Sequence, residues 1–157
     1  MMVIAMAVGL FLLTQYFQDV LSTQDNPNQN IATTHDGQVK EVSLKRNRAG
    51  HYVATGSING QQAVFLLDTG ATYVAIPEHL AARLNLAKGQ QIQLSTANGR
   101  SIGYRTRIQR LSIGQIHLYN IKAVITPNLE DILLGMSVLK QLEFTQRGKF
   151  LTIRQYL

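Results

Sequence analysis

The sequence predicts a mostly-β, barrel-like domain with two short helices, preceded by a single transmembrane helix. Three observations support this fold class. Many short runs of β-favouring residues are separated by glycine turns. Two Asn-Gly pairs stand between such runs and are strong short-range signals for hairpins. The first 17 residues carry no charge and are mostly apolar.

The N-terminal segment, residues 1–17, is long enough to be a membrane anchor. As a helix it would extend over about 26 Å, just enough to cross the hydrocarbon core of a bilayer. A cleaved signal peptide is the alternative, but it would need a basic start and a small-residue cleavage site after the apolar run. Neither is present, so we expect an uncleaved anchor. No Lys or Arg lies close to the segment, which leaves its orientation open by the charge rule.

Residues 18–38 change to a polar composition rich in Gln, Asn and Thr, which predicts a flexible tether. All 15 Lys and Arg follow this segment, together with six of the nine acidic residues, a formal surplus of nine positive charges. Such a domain could favour anionic membrane surfaces or acidic partners, although a solvated basic face is an equally good interpretation. The chain has no cysteine, which excludes disulfides and thiolate chemistry.

The remaining residues, 39–157, suffice for one ordinary domain. Asn59-Gly60 separates strands predicted at 52–58 and 61–67, and Asn98-Gly99 separates strands predicted at 91–97 and 101–108. The other predicted elements are strands near 42–44 and at 111–114, 116–125 and 150–156, and short helices at 77–86 and 136–142.

The first hairpin ends in an unusual carboxylate. The unbroken apolar run at 63–67 predicts a strand buried on both faces, and Asp68 follows it directly. A carboxylate in that position loses hydration unless it is paired, hydrogen-bonded or protonated, a situation typical of catalytic acids. Gly70 permits a sharp turn, so a structural Asp that caps this turn is the alternative interpretation.

Two motifs together resemble a known family. The motif Asp68-Thr69-Gly70-Ala71-Thr72 after a hydrophobic strand resembles the active-site motif of aspartic proteases, specifically the single-lobed retroviral type, the retropepsins. The Ile-Leu-Leu-Gly motif at 132–135 resembles their second hallmark, which passes beneath the catalytic loop. Segments 133–139 and 96–99 are similar to bacterial membrane-tethered members. The resemblance covers roughly Gly50 to Arg154 and implies a single-lobed acid-protease barrel.

The resemblance implies an aspartic endopeptidase that hydrolyses peptide bonds with an activated water and without a cofactor. Asp68 would act as general base and acid. Aspartic proteases need two carboxylates that share a proton, and the chain has a single Asp-Thr-Gly. We therefore expect a homodimer with one Asp68 from each copy at a two-fold axis. Thr69 would brace this pair. The tip of a flap over the peptide or protein substrate would be formed by Thr96, Ala97, Asn98 and Gly99.

The same resemblance indicates where the protein works and how its copies meet. We expect a single-pass protein of the cell inner membrane, with the protease domain on the periplasmic or extracytoplasmic side. Retropepsins commonly pair through their chain ends, so residues 150–157 are expected to add to a shared sheet. The rival hypothesis is a non-catalytic, membrane-tethered module of the same fold that binds peptide or anionic lipid. Dimerisation and Asp68 chemistry distinguish the two.

Other chemistries have weaker support in the sequence. The four His residues fall in no metal-ligand spacing, so we expect no metal site. Ser137 and Lys140 match a Ser-x-x-Lys pattern, which we interpret as accidental because too few residues follow for the partner motifs. Nucleic acid is not an expected partner, because aromatic residues are not interleaved with the basic ones. The basic residues near the second hairpin predict a solvated flap face, with anionic lipid or an acidic substrate as the alternative; they are Arg100, Arg105, Arg107 and Arg110.

Overall fold

The structure is a computed structural model that describes residues 2–96, 99–127 and 129–157. It confirms a mostly-β domain with short helices behind an apolar N-terminal helix. The helices are α1 (Met2–Asp25), α2 (Glu78–Ala81) and α3 (Met136–Leu139). The strands are β1 (Thr33–Asp36), β2 (Val39–Lys45), β3 (Val53–Ile58), β4 (Gln61–Leu67), β5 (Val74–Pro77), β6 (Gln91–Thr96), β7 (Gly99–Ile113), β8 (Ile116–Thr126), β9 (Ile132–Leu134), β10 (Glu143–Arg147) and β11 (Phe150–Tyr156).

The strands form two sheets. Seven of them are ordered β3-β4-β9-β5-β8-β7-β6, and a further pairing of β3 with β7 curls this sheet towards a closed barrel. The other sheet is ordered β1-β2-β11-β10. The core is built from aliphatic and aromatic side chains with no exposed surface, among them Phe65, Ile76, Ile108 and Ile125. Burial of such side chains from both sheets is the main source of the domain's stability.

Both predicted hairpins are present. Asn59 and Gly60 have φ angles of 50° and 83°, which gives the two-residue turn that Asn-Gly favours between β3 and β4. In the second hairpin Thr96 pairs with Gly99, while the turn residues Ala97 and Asn98 lie outside the described residues. Strand β7 is one continuous strand of 15 residues, where we predicted two separate strands. It stays continuous because β6 pairs with its first part and β8 with most of its length.

Helix α1 is longer than the predicted anchor, because it continues to Asp25. Its 24 residues extend over about 36 Å. It is long and apolar enough to cross a membrane, and its most apolar part has no buried residue. A signal sequence near an N-terminus would satisfy the same test.

The stretch 18–38, predicted as a flexible tether, carries secondary structure and is folded onto the domain. Its first part belongs to α1, and its last part forms β1, which pairs with β2. Between them Asn28 is 6% exposed. The Asn28 side-chain amide donates to the carbonyls of Lys45 (2.8 Å) and Val53 (2.6 Å), and its oxygen accepts from the Lys45 N–H (2.7 Å). This amide bridges backbone groups of β2 and β3, which belong to different sheets, and these hydrogen bonds explain why a polar segment is ordered here.

The C-terminal strand, which we expected to add to a sheet shared between copies, is already paired within the single chain. Strand β11 lies between β2 and β10, so both of its edges are paired within the chain. Residues 150–157 therefore offer no free edge for a sheet shared between copies. Arg154 reinforces this arrangement, because its guanidinium contacts Glu41 on β2 (2.6 Å) and Glu143 on β10 (3.1 Å). Hydrogen bonds from Tyr156 and Arg154 lower the pKa of Glu143.

Candidate active site

The position of Asp68 is set by the pairing of two strands. Strand β4 runs parallel to β9 with Leu67 opposite Leu134, and the Asp68 N–H donates to the Leu134 carbonyl at 3.2 Å. Asp68 is half-buried at the C-terminal end of β4. A rigid pair of strands therefore holds the backbone of this residue, which is a requirement for any precisely placed catalytic group.

Residues 68–72, which we name the Asp-Thr-Gly loop, turn sharply after β4. The Gly70 N–H donates to Asp68 Oδ1 at 2.8 Å, and the Ala71 N–H donates to the Asp68 carbonyl at 3.3 Å. One carboxylate oxygen thus caps the turn, as the structural interpretation predicted. Within the described part of the chain, Oδ2 accepts no hydrogen bond from the protein. The two interpretations are compatible, because one oxygen can orient the carboxylate while the other reacts.

The second motif packs against this loop through Gly135. A Cβ atom on Gly135 would lie 2.2 Å from the Tyr73 carbonyl oxygen and 2.6 Å from that of Ala71. The neighbouring Met136 N–H donates to the Ala71 carbonyl at 2.8 Å. No side chain fits in such a gap, so the glycine is required for the close approach of the two backbones. The predicted passage of the 132–135 motif alongside the loop is therefore present.

Ser137 was missed as a structural element of the site. Its N–H donates to the Thr72 carbonyl at 2.9 Å, and its hydroxyl accepts from the Val74 N–H at 3.1 Å. Ser137 therefore links the end of the Asp-Thr-Gly loop, at Thr72, and the start of β5, at Val74, to the start of α3. Ser137 is also the serine of the Ser-x-x-Lys pattern, but its hydrogen bonds here are structural. Val138 and Leu139 between the pattern residues are buried, and Lys140 is exposed.

The remaining described residues of the predicted site are mostly exposed, and Ala97 and Asn98 lie outside the described residues. Thr69, Gly70 and Thr72 are exposed, and Ala71 is half-buried. In the described ranges the Thr69 hydroxyl makes no hydrogen bond. At the end of the β6–β7 hairpin the Thr96 hydroxyl donates to the Gly99 carbonyl at 2.8 Å. The structure thus brings the loop and the 132–135 motif together, while no hydrogen bond joins the described hairpin residues to the loop.

Two cavities lie beside the loop, and Asp68 lines neither. The larger, about 610 Å³, lies between the β6–β7 hairpin, β8 and Tyr73. The smaller, about 360 Å³, is lined by Thr72 of the loop and by α3. Both cavities share Tyr73 and Lys122. The carboxylate itself is on an open face of the single chain.

A mostly-β lobe with an Asp-Thr-Gly loop after one strand, packed on an apolar-apolar-Gly strand, has the architecture of the retropepsin-like proteases. The family model described as "gag-polyprotein putative aspartyl protease" matches residues 54–141, more than half of the chain. The chain belongs to this family, and the resemblance seen in its motifs is confirmed.

Solved structures show the same fold. A retropepsin-like aspartic protease from Rickettsia conorii aligns with a TM-score of 0.64 and 28% sequence identity, over 80% of this chain and 96% of that one. EIAV protease, solved with the inhibitor HBY-793, aligns with a TM-score of 0.51 and 19% identity, over 62% of this chain and 92% of that one. At the lower identity the likeness shows the fold alone.

Sequence relatives come from two further bacteria. An uncharacterized protein from Sinorhizobium sp is 35% identical over 121 residues, 74% of this chain and 52% of that protein. An uncharacterized protein from Rickettsia prowazekii (strain Madrid E) is 31% identical over 124 residues, 76% of this chain and 53% of that protein. The chain therefore spans about half the length of the curated relatives it matches.

Proposed function

We propose that this chain is an aspartic endopeptidase and that its active form is a homodimer with one Asp68 from each copy in the catalytic pair. The observation that carries the proposal is the placement of the single Asp-Thr-Gly loop. This loop follows β4, and its Asp68 N–H donates a hydrogen bond to β9. Gly135 lies so close to the loop backbone that no side chain would fit between them. Membership of an aspartyl protease family supports a peptidase activity.

The proposed chemistry uses two carboxylates and one water molecule. Two like charges in contact do not both ionise, so the Asp68 pair shares a single proton. The ionised carboxylate takes a proton from the water, and the water oxygen attacks the peptide carbonyl carbon. At the same time the protonated carboxyl gives its proton to the carbonyl oxygen. As the C–N bond breaks, the proton taken from the water passes to the leaving nitrogen, and the ionised Asp68 takes a proton from one hydroxyl of the tetrahedral intermediate, which re-forms the carbonyl and restores the single shared proton. The Asp68 pair supplies both the base and the acid.

The open face around Asp68 supports a dimeric enzyme. The cavities beside the loop are not lined by Asp68, and Thr69 and Thr72 are exposed. A second copy related by a two-fold axis would cover this face and add the other wall of a substrate groove. In that assembly the Thr69 hydroxyls would brace the two loops, and residues 96–99 would form the flap tip. Because β11 is internal within one chain, we propose that the contact between copies uses other surfaces.

The proposed location follows from α1. We propose that α1 anchors the protein in the cell inner membrane with the domain on the extracytoplasmic side. The contacts of Asn28 with β2 and β3 would hold the domain close to the end of this helix. Substrates would then be membrane-proximal protein segments, because short tethering limits what the groove can reach. The proposed domain organisation keeps an anchor at the N-terminus and a protease domain from residue 39 onwards, joined by a short ordered connection.

Peptide cleavage tests this function directly. The full chain in detergent is incubated with a proteome-derived peptide mixture, and new termini are identified by mass spectrometry. We expect Asp68→Asn to lower the cleavage rate by about 10²-fold or more, since it removes the acid–base group. Asp131→Asn, an exposed acid in the same domain, is the matched control and should leave cleavage unchanged. Absence of cleavage by folded, dimeric wild-type protein would favour the non-catalytic peptide-binding module.

A further inference from the structure

The larger cavity beside the Asp-Thr-Gly loop is strongly basic. It measures about 610 Å³ and is bounded by the β6–β7 hairpin, by β8 and by Tyr73, which directly follows the loop. No acidic side chain is among its described lining residues. Four of its lining residues are basic: Lys88, Arg105, Arg107 and Lys122.

The wall of this cavity is fixed by backbone contacts. The segment 87–90 lies against β7, because the Gly89 N–H donates to the Arg105 carbonyl (2.8 Å) and the Arg105 N–H donates to the Gln90 carbonyl (2.9 Å). A Cβ atom on Gly89 would lie 2.8 Å from the Arg105 carbonyl oxygen. The Thr106 hydroxyl adds a bond to the Ala87 carbonyl at 2.8 Å. The cavity is therefore a preformed feature of the domain.

Two of the positive charges in the cavity repel each other across neighbouring strands. Arg107 on β7 lies directly opposite Lys122 on β8, and like charges in that position destabilise a sheet. The Arg107 guanidinium donates to Asn120 Oδ1 at 2.5 Å. Asn120 itself has φ of 58°, a left-handed conformation that Asn adopts more readily than most residues, and it interrupts the pairing of β8 with β7. An anionic ligand bound between Arg107 and Lys122 would relieve their repulsion.

Three of the four cations have no charge partner among the described residues. Lys88 pairs with Glu78 and lies over the Tyr104 ring, 4.8 Å from its centroid. Among the described residues, none of the ion pairs involves Arg105, Arg107 or Lys122. Their uncompensated charge favours an anionic ligand in the cavity.

The cavity continues to the candidate catalytic loop. Tyr73 and Lys122 line both this cavity and the smaller one, which reaches Thr72 of the loop. Apolar surface from Ile92 and Val124 lies among the charges. A concave site with mixed apolar and cationic walls suits an extended peptide with acidic side chains better than the flat surface of a membrane.

We propose that this basic cavity binds acidic side chains of the peptide substrate, and so selects peptides with Asp or Glu several residues from the scissile bond. The inference rests on the proposed protease function for the identity of the peptide as substrate. The arginines supply charge-assisted hydrogen bonds to carboxylates, with Arg107 held in place by Asn120. Tyr73 connects this selection to the loop that carries Asp68.

Binding to the inactive Asp68→Asn protein tests the cavity separately from cleavage. The full chain in detergent is incubated with a randomised decapeptide library, and retained peptides are sequenced. Binding is then measured for a retained peptide and for its copy with Gln in place of each Asp and Glu. The test variant adds Arg105→Gln and Arg107→Gln. The control adds Arg110→Gln, which removes a charge from the same strand but does not line the cavity.

We expect retained peptides to be rich in Asp and Glu, and the Arg105/Arg107 variant to bind the acidic peptide about 10- to 100-fold more weakly. The Gln copy should bind both proteins equally, and Arg110→Gln should behave as the parent. Thermal unfolding should change little, because Arg107→Gln removes both the repulsion with Lys122 and the hydrogen bond to Asn120, which have opposite effects on stability.

The possible failures separate this inference from the proposed function. Equal retention of neutral and acidic peptides, or equal binding by the variant, overturns the inference whether or not the wild-type protein cleaves. Acidic selection without wild-type cleavage supports the cavity and contradicts the protease. A further outcome is that the variants leave peptide selection unchanged, while phosphatidylglycerol in nanodiscs protects Lys88 and Lys122 from an added acylating reagent. In that case the cavity faces lipid and the inference is overturned.

Discussion

At the scale of single residues, the sequence predicts the groups whose type is demanded by their local position. A carboxylate after a buried strand and a glycine after an apolar strand are recognisable because few other residues could occupy those places. The Asp-Thr-Gly loop packs against Gly135 as expected. Ser137 could not be predicted in the same way. Its hydroxyl serves the Val74 N–H, a partner 63 positions away, which local pattern does not reveal.

The first prediction concerns the gap at Gly135. We expect Gly135→Ala to lower the free energy of unfolding by about 1–3 kcal/mol, because the added methyl group would collide with the Tyr73 and Ala71 carbonyls. Cleavage should be lost, because relief of the collision displaces the Asp-Thr-Gly loop. Urea unfolding and the peptide assay measure the two effects. Gly9→Ala is the control, since no atom lies within 4 Å of its added Cβ. Wild-type stability and activity in Gly135→Ala would show that the close approach is not required.

The second prediction separates a positioning serine from a nucleophile. Ser137→Ala should cost about 1–3 kcal/mol of stability, because it leaves the part-buried Val74 N–H without its acceptor. Cleavage should fall but remain measurable, whereas a nucleophilic serine would lose all activity on substitution. Ser137→Thr, which keeps the hydroxyl, should recover much of the stability. Complete loss of cleavage by a folded Ser137→Ala protein of wild-type stability would contradict this positioning role.

The third prediction concerns the pH dependence of stability. Burial lowers the pKa of His117, and the positive charges of Arg110 and Lys40 lower it further. The folded protein therefore binds fewer protons at this site than the unfolded chain, so stability is full above the unfolded pKa and falls as pH drops below about 6.5. Urea unfolding at several pH values should show a weaker dependence for His117→Gln. The exposed His79→Gln is the control, and equal slopes for wild type and His117→Gln would contradict the assignment.

At the scale of elements, the hairpins were predictable and the lengths of several elements were not. Asn-Gly fixes a turn through the left-handed φ of both residues, so the β3–β4 connection follows from two positions. The helix predicted at 77–86 is confined to Glu78–Ala81. Asn85 adopts φ of 55°, which is incompatible with a continuing helix. The order of residues 26–36 depends on bonds to β2 and β3, and composition contains no information about such partners.

The fourth prediction tests this ordered connection. Asn28→Ala removes the side chain that serves Lys45 and Val53, so we expect the free energy of unfolding to fall by about 2–4 kcal/mol. Asn30→Ala, an exposed asparagine two positions further on, should change it little. Hydrogen exchange at the Lys45 N–H provides the local readout. Similar stability for the two variants would indicate that the segment is a loose tether, as its composition suggested.

At the scale of the whole molecule, the single chain is a lobe with its candidate catalytic carboxylate on an open face. Family and motif predicted the lobe, and they predicted that a second copy is needed to complete a pair of carboxylates. The surfaces available for that second copy depend on the path of the last strand. Within one chain β11 is paired on both edges, so a sheet shared through it would require a strand to be exchanged between copies. Sequence order alone does not show which strand edges remain free.

A tagged heterodimer tests the central claim that two copies of Asp68 form one active site. Wild-type and Asp68→Asn full chains with different tags are expressed together and purified in detergent through both tags. The account predicts that the two chains co-purify and that the mixed dimer cleaves peptides about 10²-fold or more slowly than the wild-type dimer, because half of the pair is missing. A mixed dimer that keeps half of the wild-type activity, or active wild-type protein that never pairs, would contradict the account.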